Sequence, residues 1–137
     1  GWPDEPRGFI LAVERALRMA GVTPQEVDCI QAAGNGGCNP DALEAAAYGR
    51  IFGNGSKSLI TSIKGATGEI FASGGIRAGA LALSLREGIV PPTVGLSTPL
   101  DSLPFVIGKA VHRPLQRGLL SGISFGGTYA CLVMKRL

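Results

Sequence analysis

Asp41 and Glu44 stand three residues apart in a stretch of helical character, which puts both carboxylates on one helix face, where a pair can act as general acid and base. The same spacing has a plainer structural reading. Asp41 would complement the positive end of the helix, and Glu44 would sit near solvent or pair with Lys64. Just upstream, Gly34-Asn35-Gly36-Gly37-Cys38-Asn39 offers Gly-x-Gly-x-x-Asn between an apolar run and a helix start. Backbone N–H groups freed by such a loop can hold a phosphate. A dinucleotide fits poorly, because the third glycine is missing and Lys64 stands where a ribose-binding carboxylate belongs. The GxxxxGK[ST] pattern is absent, since Lys57 follows Ser56 and Lys64 follows Ile63. Cys38 at the helix start could become a thiolate under the helix dipole. The single histidine, His112, lies far along the chain among arginines and reads as a surface or satisfied imidazole rather than its partner.

The elements that must position these groups follow from periodicity. Ile10, Val13, Leu17 and Ala20 recur at helical spacing before Gly21, which predicts an amphipathic helix over 7–20. Thr23-Pro24-Gln25-Glu26 is a capping-box pattern leading into a short buried strand over 28–33. Asn39-Pro40-Asp41 reads as the cap and first turn of a helix ending near Gly53. A second parallel strand is expected over 58–63. Residues 64–69 then turn into a helix that runs to about Glu87 and stops at Gly88. This helix is small-sided nearly all round, with Gly74, Gly75 and Gly79 in its interior. Each interior glycine costs about 0.5–1 kcal/mol relative to alanine, so something should pack closely against a central, buried rod. Residues 91–104 form a proline-rich loop. Strands are expected over 105–110, 119–124 and 129–134, the last two joined through a tight turn at Phe125-Gly126-Gly127-Thr128. The sum is an α/β fold with a mixed sheet.

Composition narrows the function class. The 137 residues suit one domain, and 45% hydrophobic against 17% charged excludes a disordered tail or a coiled coil. A net charge of +3 with scattered Lys and Arg argues against nucleic acid. Cys29, Cys38 and Cys131 lack CxxC spacing and a His-rich neighbourhood, so neither a disulfide framework nor a metal site is expected, and a reducing, cytoplasmic location is. The most apolar stretch, 70–85, is shorter than the roughly 20 residues a bilayer needs and carries Arg77, so no membrane span is expected.

Five segments taken together carry a resemblance: Ile30-Gln31-Ala32-Ala33-Gly34-Asn35-Gly36-Gly37, Asp41 with Glu44, Lys64-Gly65-Ala66-Thr67-Gly68-Glu69, Val90-Pro91-Pro92-Thr93, and Phe125-Gly126-Gly127-Thr128. In order and spacing the chain resembles the C-terminal half of β-ketoacyl-(acyl-carrier-protein) synthases of fatty-acid and polyketide biosynthesis. The resemblance implies one thiolase-like half over residues 1–137, with a mixed five-stranded sheet and helices on both faces. It implies the N-terminal half of the same fold as a partner, assembly as a homodimer or as a heterodimer with a ketosynthase, and an acyl carrier protein as a further partner, which a basic rim near Arg113 and Arg117 could meet. No cofactor is implied. The helix over 70–85 would be one of two in the middle layer, so this chain alone should expose a large apolar face.

The departures from the family pattern bear on activity. Condensing members use a cysteine nucleophile in the N-terminal half and two histidines, whose matching positions here hold Ala33 and Glu69. Loss of carbon dioxide from a malonyl group leaves negative charge on a thioester oxygen, which positioned donors must stabilise. Alanine donates nothing, and a carboxylate only accepts. The resemblance therefore implies a non-condensing, chain-length-factor-like subunit. In it Lys64 survives as an ion-pair partner for Glu44 or Glu69, and Phe125 holds the place of a gating phenylalanine beside the acyl channel, with Gly126, Gly127 and Thr128. The family's first phenylalanine of that loop is Ile123 here, with Ser124 for the intervening glycine. Two other readings stay open: an active synthase or acyltransferase with Glu69 as base, and a phosphate- or nucleotide-binding module at the Gly34 loop.

Overall fold

A computed structural model describes residues 2–53, 55–70 and 72–137. Helix α1 (Arg7–Ala20) spans the predicted residues and ends at Gly21, but its buried stripe is Phe9, Val13 and Leu17, with Ile10 half-buried and Ala20 exposed. The capping box at Thr23 forms a single 3-10 turn over Pro24–Glu26, with Thr23 N–H donating to Glu26 Oε2 at 2.9 Å. Strand β1 (Cys29–Gln31) follows, then helix α2 (Cys38–Phe52), strand β2 (Leu59–Thr61), a one-turn helix α3 (Lys64–Thr67), helix α4 (Ser73–Glu87), β3 (Ile89–Val90), β4 (Val111–His112), and a hairpin of β5 (Arg117–Ser124) and β6 (Thr128–Lys135).

The main sheet has the order β2-β1-β5-β6. Its first three strands are parallel, with Ile30 level with Ile60 on one side and Leu119 on the other, and β6 closes it antiparallel. The expected strand over 105–110 contributes a fifth position only through a parallel bridge of Phe105 to Ile60, because the backbone turns at Gly108 and 111–112 pairs instead with β3. Side chains alternate across β1, so Ile30 enters a core with α1 and α2 while Cys29 enters a second with Leu81 and Leu85 of α4. Helices thus cover both faces of a mixed sheet.

Three expectations need correction. Helix α2 begins earlier than Asn39: Gly37 is its N-cap, Asp41 N–H donates to Gly37 C=O at 3.0 Å, and Pro40 sits within the first turn, where its missing N–H costs nothing. The helix expected from 64–69 to Glu87 is two helices. Gly68, at φ 79°, caps α3 and takes the chain out of helical geometry, α4 begins at Ser73, and Phe71 between them lies outside the described residues. Finally, α4 is buried on one side only. Ser73, Arg77, Leu81, Ser84 and Leu85 face the sheet, whereas Gly74, Gly75, Gly79, Ile76 and Leu83 are exposed and a methyl group at any of the three glycines would touch nothing. The close neighbour that those glycines imply is not supplied by this chain.

Candidate functional site

Parallel strands direct their C-terminal ends to one edge of the sheet, and loops there collect functional groups. The ends of β1 and β2 lead into the Gly34 loop and into Ser62 and Lys64, and the two segments border a cavity of about 310 Å³. Residues 93–96 close it from the side, drawn against α3 by Gly65, where a Cβ would come within 2.0 Å of Val94 C=O. Any side chain at 65 would push that wall away.

The Gly34 loop is held from within by the two carboxylates of α2. Glu44, 3% exposed, accepts the N–H groups of Ala33 at 2.8 Å and Gly34 at 2.9 Å. Asp41 accepts those of Asn35 at 3.0 Å and Gly36 at 2.9 Å, and Asn35 Oδ1 takes Gly37 N–H at 2.9 Å. Spacing three apart on a helix thus serves to grip consecutive loop amides. These N–H groups point away from any external anion, so the phosphate- or nucleotide-binding reading of this loop does not hold. Nor does Glu44 lie near solvent or pair with Lys64. Lys64 Nζ meets Glu69 Oε2 at 2.6 Å, with the lysine side chain 8% and the glutamate side chain 48% exposed. Because the chain leaves the helix at Gly68, Glu69 can turn back over α3 to reach it.

Sequence reasoning missed the groups beneath Glu44. Tyr48, one turn further along α2, has its hydroxyl 2.6 Å from Glu44 Oε1 and 2.7 Å from Ser121 Oγ, and Ser121 Oγ lies 2.7 Å from the same carboxylate oxygen. Two hydroxyl protons can serve two of these three contacts. Burial, reinforced by the Glu44 charge, pushes the Tyr48 hydroxyl well above its ordinary pKa, so it remains a donor. From the other face of the sheet Arg77 donates to the carbonyls of Gln31, at 3.1 Å, and Ser121. Burial lowers the Arg77 pKa, and the nearby Glu44 carboxylate opposes that shift. Arg77 Nε and the Gln31 side-chain amide, both buried, have no partner among the described residues. A glutamine at the end of a short buried strand was the available signal for this layer, since buried polar groups recruit partners.

Ala33 is buried at the start of the loop and offers the site no side-chain hydrogen-bonding group. Phe125 lies at the β5–β6 tip, 82% exposed, with its ring centroid 5.2 Å from that of Trp2. Gly126 and Gly127 shape the turn, and Thr128 opens β6. None of these four lines the cavity. His112 is exposed on β4, remote in topology from Cys38, and Cys38 is exposed at the start of α2. Among the described residues no group of His, Cys, Asp and Glu could hold a metal ion, and no helix is long and apolar enough to cross a membrane.

Residues 3–97 match the family described as "Beta-ketoacyl synthase, C-terminal domain". The chain belongs to the β-ketoacyl synthase family. It is 34% identical, over 98% of its length, to 3-oxoacyl-[acyl-carrier-protein] synthase 2 of Coxiella burnetii, and 35% identical, over 96%, to the tetracenomycin polyketide synthase ketoacyl synthase beta subunit of Streptomyces glaucescens. The chain spans about a third of these relatives, 34% and 32% of their lengths. Among solved structures, the ishigamide ketosynthase/chain length factor superposes with a TM-score of 0.91 at 27% identity, covering 97% of this chain and 34% of that one. A type II polyketide acyl-carrier protein in complex with its hexaketide-bound ketosynthase gives 0.92 at 25% identity, covering 99% and 34%. The fold is therefore the thiolase-like ketosynthase fold, and the α/β expectation stands.

Proposed function

We propose that residues 1–137 act as a single C-terminal domain of a ketosynthase-like protein of fatty-acid or polyketide biosynthesis that does not itself condense acyl chains and serves as a chain-length-factor-like partner subunit. The observation that carries this reading is the Lys64–Glu69 ion pair at 2.6 Å. Where the family resemblance calls for a histidine that donates to a thioester oxygen, this chain has an acceptor bound to its own lysine, and the other histidine position holds Ala33. No donor remains at either place to stabilise the enolate left by decarboxylation, a contribution on the order of several kcal/mol. The exposed glycine face of α4 supports a complementary helix from the rest of the fold as its partner, since glycine lets backbones approach closely. Relatives that pair a ketosynthase with a chain length factor, or bind an acyl carrier protein, support those partners here. Under this reading the domain works in the cytoplasm without a cofactor, and Phe125 to Thr128 face acyl chain rather than reacting atoms.

The test is decarboxylation of malonyl-acyl carrier protein by the full-length protein. The unmodified protein should release carbon dioxide at the background rate, and Ala33→His with Glu69→His should raise it. Condensation by the unmodified protein alone overturns the reading in favour of an active synthase with Glu69 as base.

A further inference from the structure

The cavity beside α3 has an unusual balance of charge. Asp41, Glu44 and Glu69 border it as carboxylates, Lys64 is the cation that lines it, and the buried Arg77 guanidinium acts on Glu44 and Glu69 from behind the wall. Lys64 is held by Glu69 at 2.6 Å, and the loop N–H groups of Gly34, Asn35 and Gly36 are bonded to Glu44 and Asp41. Ala45, Val94, Leu96, Leu100 and Phe105 supply an apolar wall, with Asn35, Ser62 and Thr93 as the neutral polar residues of the lining. At about 310 Å³ the space is large enough for a short acyl chain.

Resting on the non-condensing reading above, we propose that Glu69 makes this cavity a binding site for the neutral end of an acyl thioester and closes it to acyl groups that end in a carboxylate. An incoming carboxylate meets three negative charges against two positive, Lys64 and the buried Arg77, and it can pair with Lys64 only by displacing Glu69. Within about 6 Å of the one net negative charge that remains, at an effective dielectric constant near 20, such a charge loses on the order of a hundredfold in affinity, and water at the open mouth reduces the effect to about tenfold. A neutral chain of the same length meets the apolar wall and no such repulsion.

The experiment is calorimetric binding to the full-length protein of hexanoyl-pantetheine, adipoyl-pantetheine, which has the same carbon count with a terminal carboxylate, and the methyl ester of the latter. The hexanoyl and methyl ester ligands should bind alike, and the adipoyl ligand about tenfold more weakly. Glu69→Gln frees Lys64 and should bring the adipoyl ligand within about threefold of the hexanoyl one. Lys64→Met leaves Glu69 unpaired and should widen the gap, a readout independent of whether Glu69→Gln folds. Equal affinities in the unmodified protein, a gap that survives Glu69→Gln, or no binding of hexanoyl-pantetheine each overturn the proposal. These measurements read binding without turnover, so their failure leaves the decarboxylation result standing. Condensation by the unmodified protein would instead overturn the functional reading on which the cavity assignment rests.

Discussion

Replacing Glu44 by alanine removes the acceptor at the centre of the loop's internal scaffold. Ala33 N–H is buried and Gly34 N–H partly so, and each would lose its only recorded partner. A buried donor left unsatisfied costs about 1–3 kcal/mol, so the two amides together account for about 2–6 kcal/mol. The hydroxyls add less, since Tyr48 and Ser121 keep each other at 2.7 Å. Against the 5–15 kcal/mol that typically holds a domain together, the loss is large. Urea unfolding of the protein should show the unfolding free energy fall by that amount, as a lower midpoint at an unchanged slope. Amide hydrogen exchange should locate it, with Ala33 and Gly34 accelerating while Cys29 and Ile30, within β1, do not. Glu44→Gln, which can still accept through one oxygen but turns an NH2 group toward the second donor, should cost about half as much. A change below about 1 kcal/mol for Glu44→Ala, or unaltered exchange at Ala33 and Gly34, would refute the claim that this carboxylate holds the loop.

Asp41→Ala should cost about 1 kcal/mol, because its amide partners at Asn35 and Gly36 are exposed and water replaces the lost bonds, and exchange at those two amides should quicken. Burial raises the thiols of Cys29 and Cys131 from 9.0 to about 12. The native state then keeps protons that the unfolded chain releases, so stability should be level below about pH 8 and decline between pH 9 and 12. Urea midpoints across that range check it, and at pH 8 iodoacetamide should label exposed Cys38 well before the other two. Gly79→Ala meets no atom of this chain and should stabilise it alone by about 0.5–1 kcal/mol. In the full-length protein the same methyl should instead crowd the helix packed on that face and lower stability, which urea unfolding would read.

How much of this was legible in the sequence depended on whether the signal was local. Helix α1 and the hairpin followed from period and turn residues: Ile10, Val13, Leu17 and Ala20 gave the helix its bounds, although Phe9 rather than Ile10 or Ala20 completes the buried stripe, and Phe125-Gly126-Gly127 can only turn. The break at Gly68 was hidden because small apolar residues on its far side continue a helical composition, and composition carries no φ angle. The strand expected after Pro104 shrank to one bridge, because pairing is decided by what lies across from it, here only Ile60. Asp41 and Glu44 stood out by their spacing, yet the partners they take are backbone N–H groups, which have no letter in a sequence. Tyr48 and Ser121, separated by 73 positions, meet only once β5 is laid beside β1.

The stacking of Trp2 on Phe125 has a practical corollary. Trp2 is the chain's single tryptophan, and its indole rests against the ring at the end of the hairpin. Its emission therefore samples that corner of the molecule alone, giving a native optical gauge of whether the tip stays docked or swings free when an acyl ligand or a neighbouring subunit arrives.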